Sequence, residues 1–172
     1  MLYRHAKTLV LIDPLPTDDT WCRVGAEVAQ ADEPVAVLLT APWHLRGTAE
    51  AAARFHARVW AAERAWERLP VLERLERPPG GISPVAPRGV DEGQVAFFLE
   101  AERALVVGER FLGTQDGLRV TPSHATTDLD TFVASLRELE RSPIQRVLVS
   151  HGPPVLEDGG EAIARAVRRF ER

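Results

Sequence analysis

The chain has 172 residues, 45% of them hydrophobic and 27% charged, which is enough apolar material for one packed domain and excludes wholesale disorder. A net charge of -4, with acidic residues interleaved among the basic ones, gives no basis for a nucleic-acid or anionic-membrane partner. The lone cysteine, Cys22, excludes an intramolecular disulfide and a cysteine-based zinc site.

No segment approaches the roughly 18 uninterrupted apolar residues that a membrane-crossing helix needs. The opening stretch MLYRHAKTLVLIDPL lacks the small-residue cleavage pattern of a signal peptide. A soluble, cytoplasmic, bacterial-type protein is the expectation, and its basic residues are nearly all arginine, as in a GC-rich genome.

Taken in order, Thr8-Leu9-Val10-Leu11-Ile12 is a β-branched apolar run closed by Asp13-Pro14, which predicts a buried strand ending in a turn. Residues 17–31 offer Val24, Val28 and Ala29 as a short helix before Asp32-Glu33-Pro34. Residues 35–40 are the second strong strand, and a short loop with Pro42, Trp43, His44 and Arg46 follows it. From Thr48 the run Ala49-Glu50-Ala51-Ala52-Ala53-Arg54-Phe55 has high helix propensity, with Thr48 as its cap and Glu50 at the positive end. Residues 58–61 predict a short strand, and residues 63–75 are helical or irregular.

Pro78-Pro79-Gly80-Gly81 is the clearest break. It is read as a passage between strand layers, so residues 1–172 are expected to form a single domain. Residues 95–99 and 104–107 predict an antiparallel hairpin across Glu100-Ala101-Glu102-Arg103, and Leu118-Arg119-Val120 a further short strand. Residues 128–139 predict a helix capped by Thr127 or Asp128, with Leu129, Phe132, Val133, Leu136 and Leu139 on one face. A strand over 146–150 leads into His151-Gly152-Pro153-Pro154, and a last helix runs from about Gly160 to Phe170. Helices with one apolar stripe must lie against sheets, giving a mixed α/β (α+β) chain, and the pattern alone permits a three-layer α/β fold as well as a sandwich of sheets flanked by helices.

Four stretches occur in a familiar order: Leu11-Ile12-Asp13-Pro14, the loop after Leu39-Thr40, Ala104-Leu105-Val106-Val107-Gly108-Glu109, and Val149-Ser150-His151-Gly152. Together they resemble the metallo-β-lactamase superfamily. There a strand ending in Leu-Thr runs into H-x-H-x-D-H, a loop that holds a pair of zinc ions. The resemblance implies a metallo-β-lactamase-like four-layer αββα sandwich.

The resemblance carries the frame and not the ligands. Ala41-Pro42-Trp43-His44-Leu45-Arg46 stands where the motif belongs, with Ala41, Trp43, Leu45 and Arg46 at its ligand positions. In Pro87-Arg88-Gly89-Val90-Asp91-Glu92-Gly93, Val90 takes the place of the middle His, and Glu109 replaces the bridging Asp. His151 is retained. A catalytic zinc needs about three protein ligands and an open position, so a dinuclear zinc site is not expected.

Asp13, His44, Arg46, Glu109 and His151 are the candidate pocket residues. Arg46 and Glu109 are expected to pair where the metal would stand, because a buried carboxylate calls for a compensating charge. His44 is expected to hydrogen-bond backbone or Asp13. Cys22 is expected to be buried, Arg88 and Arg110 solvated, and Trp43 near the pocket mouth. Adjacent strand residues point to opposite faces, so Ser150 and His151 form no dyad. His5, His56 and His124 have no partner pattern.

The leading expectation is a pseudoenzyme: a non-hydrolytic binding or structural module with no cofactor, taking a small-molecule ligand or a protein partner, with a homodimer as an option. The alternative is a hydrolase of ester, thioester or phosphodiester type with one zinc held by His44, Glu109 and His151. A metal-free pair of His151 with Asp13 is a third reading.

Overall fold

The structure, a computed structural model, describes residues 1–172 apart from 6, 16, 32, 70–72, 91–92, 123–125, 141 and 172, and apart from the side chains of Ala31 and Arg68. His124 therefore lies outside the described residues. The chain divides into two compact units, Met1–Gly80 and Gly81–Arg172, so the division falls within the Pro-Pro-Gly-Gly break. Each unit has its own hydrophobic cluster.

In the first unit, β1 (Leu2–His5), β2 (Thr8–Ile12), β3 (Val35–Leu38) and β4 (Arg58–Trp60) form one sheet in the order β1-β2-β3-β4. β1 runs antiparallel to β2, and β2, β3 and β4 are parallel. The crossovers are α1 (Asp18–Ala31) and α2 (Thr48–Phe55). Parallel strands covered on both faces read as continuous apolar runs, and β3 is buried at every residue.

α1 is longer than the short helix predicted. Trp21 extends the apolar stripe one turn ahead of Val24 and Val28, and Asp18 and Asp19 favour the positive end of the helix. Ala29 is exposed. β3 ends at Leu38, short of the predicted Thr40, because the Thr40 N–H turns to the Asp13 carboxylate.

α2 starts where predicted, but Gly47 is its N-cap and Thr48 is the first helical residue. The Thr48 hydroxyl makes no capping bond, because a residue already in the helix cannot reach back to the free N–H groups. Beyond β4 comes a 3-10 helix, Glu63–Arg68. Arg74 then bridges Val59, with Leu75 N–H donating to the Val59 carbonyl at 2.7 Å, which covers the β4 edge.

In the second unit, β5 (Ile82–Val85), β6 (Ala96–Leu99), β7 (Ala104–Val107) and β10 (Arg146–Val149) form a sheet in the order β10-β7-β6-β5, and β8 (Phe111–Thr114) pairs with β9 (Gly117–Val120) as a separate hairpin. The β6–β7 hairpin has the predicted loop, with Leu99 opposite Ala104. β5 and β8 were not predicted from the sequence.

α3 (Leu129–Leu139) is capped by Asp128, which accepts from Thr131 N–H at 3.0 Å and from its hydroxyl at 2.7 Å. Phe132, Val133 and Leu136 face the core as predicted, but Leu129 does not and is 46% exposed. It lies in the first turn, where the stripe has yet to meet its neighbours. α4 (Gly159–Phe170) buries Ala162, Ile163, Ala166 and Val167 at helical spacing.

A candidate functional site at the ends of β2 and β3

β2 and β3 are neighbours in the sheet and run the same way, so the residues that follow them emerge at one edge. Substrate sites of α/β sheets form at such carboxyl ends. Asp13 follows β2 with a φ of 44°, a left-handed conformation that Asp tolerates better than most residues. Its own N–H donates to the Leu38 carbonyl at 3.0 Å, which locks the turn against β3.

The Asp13 carboxylate collects three donors. Oδ1 accepts the Thr40 N–H at 2.8 Å, and Oδ2 accepts the Thr40 hydroxyl and lies 2.9 Å from His44 Nδ1. The Thr40 hydroxyl oxygen is also 3.1 Å from His44 Nδ1. With the hydroxyl proton given to Asp13, both oxygens need a donor from the ring, which assigns the proton of His44 to Nδ1. Of the two partners expected for His44, Asp13 is one that its ring meets. Burial lowers the pKa of the Met1 amino group, which donates to the Ile12 carbonyl, and the Asp13 charge acts against that shift.

The rest of the loop is packing and backbone. Ala41 is 2% exposed and its carbonyl accepts the His44 N–H. The Trp43 ring meets His44 edge-on, with centroids 6.2 Å apart. Leu45 packs on the first unit's core, and the Gly47 N–H donates to the Pro14 carbonyl. Arg46 is exposed and, among the described residues, joins no ion pair.

The loop therefore offers one imidazole, already bound to a carboxylate, where a metal pair would need several donors. Its residues do not fit such a pair. Among the described residues, no group of three or more His, Cys, Asp or Glu side chains gathers so as to hold a metal ion.

The remaining candidates belong to the second unit. Glu109 is half-buried in the bend after β7, and His151 is exposed just beyond β10. The His151 carbonyl accepts the Gly113 N–H at 2.9 Å, and Gly152 follows with a φ of 83°. A Cβ on Gly113 would stand 2.0 Å from the Pro153 carbonyl oxygen, so this close approach of two backbones is what fixes the loop carrying His151. Val90 bridges Thr126 and packs against the second unit's core, as suits an apolar residue.

Two expectations are corrected. Cys22 is exposed, because it follows the inward-facing Trp21 on α1 and so turns away from the core. Arg110 is 3% exposed rather than solvated; it sits between Glu109 and the buried Phe111. Arg88 is solvated and pairs with Glu138 at 2.5 Å. Thr40 was not singled out from the sequence, although a hydroxyl closing a strand next to a turn Asp is a recognisable signal. His5 accepts or donates to the Tyr3 hydroxyl, and His56 closes α2 in the left-handed conformation.

No family model matches the chain, and no curated protein matches it in sequence. Solved structures do. The protein TTHA1623, solved in a di-iron-bound form, superposes with a TM-score of 0.70 at 22% identity, over 96% of this chain and 91% of its own. The metallo-β-lactamase family protein TTHA1429 from Thermus thermophilus gives 0.59 at 18% identity, over 99% of this chain and 73% of its own. A metallo-β-lactamase from Erythrobacter litoralis gives 0.67 at 18%, over 98% and 83%. The chain has the metallo-β-lactamase fold, a mixed α/β architecture, as the four sequence stretches implied.

Proposed function

We propose that this protein is a metallo-β-lactamase-fold module that has lost the dinuclear metal centre and binds a small ligand without hydrolysing it. One observation carries the reading. In the register of the resemblance Ala41, Trp43, Leu45 and Arg46 fall at the ligand positions, and the loop's imidazole is tied to Asp13 and Thr40. Loss of the centre leaves a rigid loop held by hydrogen bonds instead of by a cation. Arg46, exposed and outside any ion pair among the described residues, supplies the positive charge that an anionic ligand would meet. The unbridged Cys22 suits a reducing, cytoplasmic compartment.

The test is elemental analysis of protein purified without chelator, before and after addition of zinc and of ferrous iron. The expected result is less than roughly a tenth of an equivalent of either metal, since a site lacking three donors does not hold one. The di-iron form of TTHA1623 shows that the fold accommodates metals in that protein. About one equivalent or more, lost in His44→Ala or His151→Ala, would overturn the proposal in favour of a hydrolase with an atypical metal site.

A further inference from the structure

Outside the loop just described, the second unit carries a surface groove of about 430 Å³ along α3, lined by Leu129, Asp130, Val133, Ala134, Arg137 and Phe170. Leu129, Asp130, Ala134 and Arg137 are exposed. Leu129 is among the few large apolar side chains this open to solvent. The Asp130 carboxylate joins no ion pair among the described residues. The Arg137 guanidinium gives one of its N–H groups to Glu171, which raises its pKa, and a guanidinium has further donors to give.

The order of these residues has a symmetry. Asp130 and Arg137 are seven residues apart, about two turns, so they share a face and lie roughly 10 Å apart along the axis. The midpoint between them falls between Val133 and Ala134. If a second α3 is laid antiparallel over the first about a twofold axis through that midpoint, Asp130 meets the partner's Arg137 and Arg137 meets the partner's Asp130. Ala134 lies at the crossing, where a small side chain lets two helices approach to about 8 Å.

From this complementarity we propose that the α3 face is a homodimer interface, and that its occupant is a second copy of this chain. An isologous contact requires a patch complementary to itself, and a helix face with one acid and one base placed evenly about a small residue meets that requirement. The inference is independent of the metal question. A contact made through one helix face is a small one, so the dimer is a weak one, formed and lost within an ordinary concentration range.

The test is sedimentation velocity of the full chain from about 1 to about 300 µM. The wild type is expected to pass from monomer to dimer within that range, and Ala134→Arg to remain a monomer. Asp130→Arg alone and Arg137→Asp alone are each expected to weaken the dimer at least about tenfold, since each places like charges opposite one another twice. Mixed in equal amounts, these two variants are expected to associate as tightly as the wild type, because the mixed pair restores both opposite-charge contacts. Simple damage to α3 would not give that rescue. Circular dichroism of each variant checks that the helix is intact. A wild type that stays monomeric throughout, a dimer untouched by Ala134→Arg, or a mixture that fails to associate would each overturn the proposal.

Discussion

Asp13 and Gly113 hold their loops by opposite means. Asp13 gathers three donors around one carboxylate. Asp13→Ala leaves the Thr40 N–H, the Thr40 hydroxyl and the His44 ring without that acceptor, and is expected to cost about 2–4 kcal/mol in urea unfolding. Asp13→Asn keeps one acceptor oxygen and tolerates the left-handed backbone, so its loss should be less than half as large. A shift in the NMR signals of the His44 ring protons would report the change of proton position.

Gly113 acts by absence. Its hydrogen faces the Pro153 carbonyl oxygen where a methyl group has no room, so Gly113→Ala is expected to cost about 2–3 kcal/mol. Gly80 has nothing within 4 Å, and Gly80→Ala should stay within about 0.5 kcal/mol in the same measurement. The Asp13–His44 contact was one of two that the sequence allowed, and the parallel pairing of β2 with β3 is what brings the turn Asp and the loop His together. The Gly113 contact was not, because it joins residues far apart in the chain through backbone atoms alone, which no side-chain pattern records.

At the scale of elements, α3 depends on its cap. The Asp128 carboxylate accepts two bonds from Thr131, which hold its pKa below the usual carboxylate value. Because the folded pKa is depressed, the stabilisation is complete above the ordinary carboxylate pKa and is lost as the pH falls through the lowered folded one. The thermal midpoint of the wild type should exceed that of Asp128→Ala at pH 7, and the gap should close on acidification. A gap that is constant down to acid pH would show that the carboxylate charge is not what matters. The apolar stripes of α3 and α4 were readable from spacing, and the α3 cap from the Asp that precedes the stripe, whereas α1 was read only in part.

β1, β5 and β8 were not readable, and the reason is physical. Each has only four residues, with half-exposed positions alternating along it. Pro84 interrupts β5 and Gly113 interrupts β8, and both residues are poor strand formers. These strands exist because a neighbour supplies the pairing. Leu129 misled for the opposite reason: its spacing is right for the core, but the core does not extend to the first turn of α3.

For the whole molecule, the metallo-β-lactamase fold was legible from four short stretches in order, while the pairings within the loop after β3 depend on turns that leave no periodic signal. The ion pairs are largely exposed, among them Arg4–Glu27, Arg54–Glu50, Arg74–Glu63 and Arg88–Glu138. Exposed pairs contribute little and are screened by salt, so the thermal midpoint should move by less than about 3 °C between roughly 0.05 and 0.5 M NaCl. A chelator should leave the midpoint unchanged as well, because a metal bound only by the folded state would otherwise raise it.

The division at Gly80 has an optical consequence. The chain has four tryptophans and one tyrosine, and all five fall in the first unit: Tyr3, Trp21, Trp43, Trp60 and Trp66. Intrinsic fluorescence therefore reports on Met1–Gly80 alone, whereas far-ultraviolet circular dichroism sums the helices of both units. Two probes that trace one curve in urea would mean that the units unfold as a single cooperative body; two curves would time the halves separately, without a label or a mutation.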